Sequence, residues 1–237
     1  MAIFSDMDNA VLDIIGRAIQ FIGWAFIPLL FLPFFVLLFK KLTTFSCLLV
    51  QLIELFMTSL GEAIKWVMPS MVITVALSVF ALSIYGISSI WWDELAIYLH
   101  ALGICIGVAP TYLAGQHVKV DIVYERLNQK SRALVEFCGF YLLLMPVSLA
   151  VIWRSQSFIS FAWQSFEGST NGNGIQGIFV LKSALSAMFI LLLAQGLSSA
   201  LRATLILISH NPATASPQAQ KSFMERFENN KKAEQTL

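Results

Sequence analysis

The sequence predicts an all-α integral membrane protein: a helical bundle of about five transmembrane helices plus an amphipathic interfacial helix. Two observations carry most of this reading. Between Trp66 and Ile208 the chain repeatedly runs for about 20 residues with almost no charge in the middle, the length a helix needs to cross a bilayer. Over all 237 residues, 57% are hydrophobic and only 12% are charged, with a mean hydropathy of +0.75. An ionised side chain near a bilayer centre costs about 2.5 to 3.5 kcal/mol even on the lenient insertion scale. A helix also satisfies its own backbone groups, which lipid cannot do. These properties exclude a soluble enzyme. The net charge of +1 points neither to nucleic acid nor to an acidic partner.

The elements follow in order. Ile19 to Phe39 is a first uncharged span, kinked by Pro28 and Pro33 and stopped by Lys40 and Lys41. From Leu42 to Lys65, Gln51, Glu54, Thr58, Glu62 and Lys65 recur at three- and four-residue steps, so they share one helical stripe. That pattern predicts a helix lying in the interface plane. The alternative is a sixth span with Glu54 facing protein. Val67 to Ile90 is the next span, closed by the headgroup-level pair Trp91 and Trp92. Leu95 to Gly115 returns, and Ala133 to Trp153 crosses again. Ser155 to Phe166 reads as a short surface helix, and the Gly- and Asn-rich stretch from Glu167 to Gly177 as a loop. Ile178 to Ile208 exceeds a bilayer's thickness, so it tilts or projects. Beyond His210 the composition is that of a solvated, mobile tail.

Lys119, Arg126, Lys130 and Arg132 in one loop, and Lys221, Arg226, Lys231 and Lys232 in the tail, place those segments in the cytoplasm. Lys40 and Lys41 join them, which puts the N-terminus outside if Leu42 to Lys65 lies flat. Asp6, Asp8 and Asp13 at the start argue against a cleavable signal peptide. Cys47, Cys105 and Cys138 sit in apolar stretches and read as small buried hydrophobes rather than disulfides or metal ligands. The expected organisation is an N-terminal extension over 1–65, a four-helix membrane domain over 66–208 and a cytoplasmic tail over 209–237.

Few residues stand out chemically. Gly103 and Gly107, with Ala96, His100 and Ala114 near the same face, form a small-residue surface on which another helix can pack. His100 has two readings: a hydrogen bond across that helix contact, or a proton relay or haem ligand. His117 lies a bilayer's thickness away along the chain, which disfavours a bis-His haem site. Asp93 and Glu94 suit a helix N-terminus, where the macrodipole favours each by about 0.3 to 1 kcal/mol; either can also meet a basic residue of a partner. Asp121 is an N-cap for a short helix through Leu127. Lys182 can snorkel, while Gln195, Ser198, Ser199 and Arg202 form a polar patch that reads as a subunit or intrachain contact. No cofactor or metal is expected, nor any catalytic group.

Several strings occur in order: Trp92-Asp-Glu-Leu-Ala-Ile-Tyr-Leu-His100, Gly115-Gln-His-Val-Lys-Val-Asp121, Glu167-Gly-Ser169 with Gly174 and Leu181-Lys182, and Leu193-Ala-Gln-Gly196. Over roughly Trp66 to Leu207 the chain resembles the small, DctQ-like membrane subunit of the tripartite ATP-independent periplasmic (TRAP) transporters. The resemblance implies a bacterial inner-membrane complex with a large transport subunit and a periplasmic substrate-binding protein. It also implies sodium-driven uptake of organic acids, with substrate and sodium held by the large subunit. By that resemblance Glu94, His117, Asp121, Glu167 and Ser169 are structural or interfacial. Leu82-Ser-Ile-Tyr85 stands where the family often carries an Arg-Tyr pair, so an Arg–acid pairing is not expected there. The alternative function is a self-contained electron carrier or enzyme using His100 and His117.

Overall fold

The computed structural model describes residues 28–39, 42–115 and 127–208. Its elements are α1 (Leu32–Leu38), α2 (Thr43–Ile64), α3 (Val67–Tyr85), α4 (Ile90–Leu113), α5 (Gln129–Gly139), a π-helical turn (Phe140–Leu144), α6 (Met145–Gln164) and α7 (Ile178–Ile208). Every regular element among the described residues is helical. Four helical stretches are long and apolar enough to cross a membrane: Thr43–Tyr85, Ile90–Leu113, Gln129–Gln164 and Ile178–Ile208.

Local chemistry sets the helix ends. Gly86 adopts φ +66°, donates its N–H to the Leu82 carbonyl at 3.0 Å, and lets Ile87 N–H reach Ala81 at 3.3 Å. A left-handed residue at that position closes a helix with least strain when it is glycine. The Asn128 side chain accepts the Ser131 N–H at 2.8 Å and so starts α5. Phe166 ends α6 at φ 44°, a conformation that costs a side-chain-bearing residue about 1 to 2 kcal/mol. Its ring meets Phe179 edge-on at 6.0 Å, a contact that offsets part of that cost.

Helix α7 is the axis of the bundle. It touches α1, α2, α4, α5 and α6, and its second half is buried on several faces, with Leu197, Ala200 and Leu201 fully enclosed. Leu30, Val36, Val50 and Phe140 pack onto Leu193, Leu197 and Leu201. The α3–α4 pair runs antiparallel: the Ser78 hydroxyl donates to Asp93 at 2.7 Å, and Gly103 lies beside Met68. The same register continues through the α2–α3 junction, where Gly107 faces Ile64 and Gly61 faces Pro110.

Several sequence expectations are corrected here. The expected span does not run to Ile90: the helix from Val67 stops at Tyr85, and Ile90, Trp91 and Trp92 belong to the first turn of α4. Gly86 supplies the stop that the apolar run hides. Ser155 to Phe166 is not a separate surface helix, because α6 continues unbroken to Gln164. Two of its polar groups reach α7: Ser155 and Ser186 share a hydrogen bond at 2.7 Å, and Trp163 Nε1 donates to Ser183 at 2.8 Å. The α2 stripe is not a single outward face. Glu54 is 4% exposed and turned into the bundle, while Leu48, Leu52, Leu55 and Phe56 are exposed.

Of the expected Ile19 to Phe39 span, only the last part lies among the described residues. It breaks at Phe31, where Phe34 N–H bonds to the Phe31 carbonyl at 3.0 Å and the Tyr141 hydroxyl donates to Leu30 at 2.9 Å. Among the described residues there are four candidate spans, and most of the expected Ile19 to Phe39 span lies outside them. His117, Asp121 and the expected tail fall outside the described residues.

Candidate functional site

Polar side chains gather in two nodes, one at each end of α7. From Lys182 to Arg202 that helix carries no charge over about 30 Å, which is the thickness of a hydrocarbon core. The charges at either end thus sit where a bilayer would place them.

The first node surrounds Glu94. Helix α4 begins at Ile90 and puts Asp93 in its first turn, with Glu94 beside it. Asp93 is taken by Ser78 of α3, whereas Glu94 reaches the 167–177 loop. One carboxylate oxygen accepts the Ser169 hydroxyl and the Asn171 amide at 3.2 Å; the other accepts the Ile175 backbone N–H at 2.6 Å. Asn171 N–H in turn donates to Ser169 Oγ at 3.0 Å. Gly174 must be glycine for this closure, since a Cβ there would overlap Ser169 and the Glu94 carboxylate. Behind the loop, Lys182 pairs with Glu167 and lies 4.1 Å from the centre of the Phe158 ring. Glu94, Glu167, Ser169 and Lys182 are thus brought into one assembly. It has the chemistry of a clamp: the carboxylate's acceptor sites are used to fold a loop.

Removing that clamp has a readable consequence. Glu94→Ala should expose the 167–177 loop to protease, with cleavage there at least about tenfold faster than in the parent while helix content holds, because loop tips are cut when they open locally. Limited proteolysis with mass mapping checks it. Equal cleavage rates would show that the loop is held by other means.

The second node lies at the Arg202 end. Arg202 pairs with Glu54, and Ser198 donates to the same Glu54 oxygen at 3.1 Å. Ser199 donates to Glu136 of α5 at 3.3 Å and is hydrogen-bonded to Tyr112 of α4. Four helices, α2, α4, α5 and α7, meet through these contacts. Glu54, Glu136 and Tyr112 were not singled out as site residues by sequence reasoning. The i, i+4 spacing of Ser198 and Arg202 toward one face was the available signal, but nothing local named their acid.

The remaining residues do not join either node. Gly103 and Gly107 face α3 and the end of α2 of this same chain. His100 is exposed on the helix surface. Gln195 is 2% exposed and enclosed in the centre of the bundle. Among the described residues no group of three or more His, Cys, Asp or Glu could hold a metal ion. Cys47, Cys105 and Cys138 are free thiols of intermediate burial.

The fold and its two polar nodes define a multi-helix membrane bundle tied together at both ends of α7. The chain belongs to the DctQ family: a family model described as "Tripartite ATP-independent periplasmic transporters, DctQ component" matches residues 71–205, more than half of the chain. That family works as a transporter component within complexes, and with the four apolar helices it supports a multi-pass protein of the inner membrane. Comparison with curated proteins and with solved structures returned no match. The electron-carrier reading of His100 and His117 gains no support from the family.

Proposed function

We propose that this chain is the small permease subunit of a sodium-driven TRAP transporter for organic acids. It acts as a membrane scaffold for the large transport subunit and works with a periplasmic substrate-binding protein. The family match over 71–205 carries this reading. The two nodes are in keeping with it: each spends its carboxylates on joining parts of this chain, leaving transport chemistry to a partner. In the proposed orientation the Glu94 node faces the periplasm, and the Arg202 node and the C-terminus face the cytoplasm. The proposed domain limits are an N-terminal extension over 1–65, a membrane domain over 66–208 and a tail over 209–237. α1 and α2 form an extension bound to the 66–208 bundle, with α2 lying along the cytoplasmic boundary.

Reconstitution tests the proposal. Proteoliposomes holding this chain alone should take up no organic acid. Adding the large subunit and a loaded binding protein, under an inward sodium gradient, should produce uptake. Uptake by this chain alone would overturn the scaffold role, and a Soret band in the purified protein would favour the electron carrier.

A further inference from the structure

The junction of α2 and α3 leaves a groove against α4 of about 580 Å³. Its floor is made by small or compact residues, including Gly61, Gly103, Pro110 and Ala114, with Ile104 and Met68 as walls. Glu62 and Lys65 line its edge. They form an ion pair three residues apart, with side chains 67% and 53% exposed respectively.

Depth follows from the helix register. With Gly61 beside Pro110 and Ile64 beside Gly107, Glu62 lies near the level of Ala109, about one turn from Tyr112 and the Arg202 node. Trp66, 69% exposed, lies beside the pair, where an indole suits the headgroup region. The groove therefore starts at the headgroup boundary and runs into the hydrocarbon layer: Gly103 lies about 9 Å deeper than Ala109 at 1.5 Å per residue.

The groove follows α4 for about three turns, from Gly103 to Ala114, and its mostly apolar lining suits an acyl chain. The charges decide the headgroup. An exposed pair such as Glu62–Lys65 is held by only about 0 to 1 kcal/mol, so it opens readily to other partners.

We propose that this groove binds one phospholipid with a zwitterionic, phosphoethanolamine-type headgroup: the phosphate on Lys65, the ammonium on Glu62, and an acyl chain along the floor toward Gly103. The inference rests on this surface alone and does not depend on the transport reading.

Native mass spectrometry of the full chain in detergent tests it, with phosphatidylethanolamine and phosphatidylglycerol as probes. We expect one phosphatidylethanolamine to be retained and phosphatidylglycerol to bind at least about tenfold more weakly. Two variants address the two halves of the site. Glu62→Gln with Lys65→Gln should abolish the headgroup preference. Thr111→Trp should fill the groove and block retention with helix content unchanged, since the Thr111 hydroxyl bonds only within its own helix, to Gly107 and Val108. Equal retention of both lipids by the parent chain, or undiminished retention by Thr111→Trp, overturns the proposal. So does a photo-reactive probe at Ile104 that captures a protein helix in membranes instead of lipid.

Discussion

Glu54→Ala should be the most damaging single change at the Arg202 node. The Glu54 carboxylate is buried and receives both the Arg202 guanidinium and the Ser198 hydroxyl. Deleting it leaves Arg202, whose side chain is only 20% exposed, without its counter-charge. Removing one member of a buried pair costs about 3 to 5 kcal/mol, because the survivor keeps its desolvation penalty and loses its attraction. For a chain of this size that lowers the melting temperature by roughly 10 °C. Glu62→Ala is the matched control: its pair with Lys65 is exposed, so the expected effect is within about 1 kcal/mol. The combination Glu54→Leu with Arg202→Leu should recover most of the loss, since an apolar replacement of the whole pair is often neutral. Thermal unfolding in detergent of all three variants is the measurement. If Glu54→Ala melts with Glu62→Ala, the node does not hold α2 in place.

A comparable loss is expected from Gly196→Leu. Gly196 is where α7 passes the π-helical turn, and a Cβ there would come within 2.9 Å of Phe140 Cδ2 and closer still to Leu144 Cδ2. Phe140 is itself buried in the central cluster, so it has little room to retreat. Overpacking a filled core costs about 1 to 3 kcal/mol for small additions, and leucine adds four carbons to glycine. Gly196→Ala should be milder, because the terminal methyl of Leu144 can shift and alanine gains about 1 kcal/mol of helix propensity. Gly139→Ala provides the opposite sign: nothing lies within 4 Å of its added methyl, so the change should be neutral or stabilising. Folded yield and melting temperature across the three variants read this out. If Gly196→Leu behaves like Gly139→Ala, α7 and the π turn are not in close contact.

Parts of this architecture were legible in the chain and parts were not, for identifiable reasons. The limits of α7, Ile178–Ile208, coincide with the long apolar run read from the sequence, whose only charges, Lys182 and Arg202, lie toward its two ends. The Glu167 to Gly177 loop is equally plain from its Gly and Asn content. The pairing of Glu54 with Ser198 was not legible, since the partners are 144 residues apart and periodicity reports a face without saying what covers it. The serines of α6 misled for a related reason. Ser and Gln resemble a water-facing pattern, yet Ser155 is spent on Ser186 of the facing helix. At the Glu94 node both ends were named, but the bond between them was not, because one end is a folded loop whose shape depends on the carboxylate it encloses. His117 and Asp121 remain readings of the sequence.

The central place of α7 also bears on biosynthesis. It is translated after every helix that it contacts, so α1, α2, α4, α5 and α6 enter the membrane before their common neighbour exists. Until Ile178–Ile208 arrives, Glu54 lacks Arg202, and the apolar faces of Val36 and Val50 have no Leu197 or Leu201 to meet. A chain halted short of that segment therefore keeps the α3–α4 and α2–α4 packing but leaves the central cluster open and Glu54 without its cation.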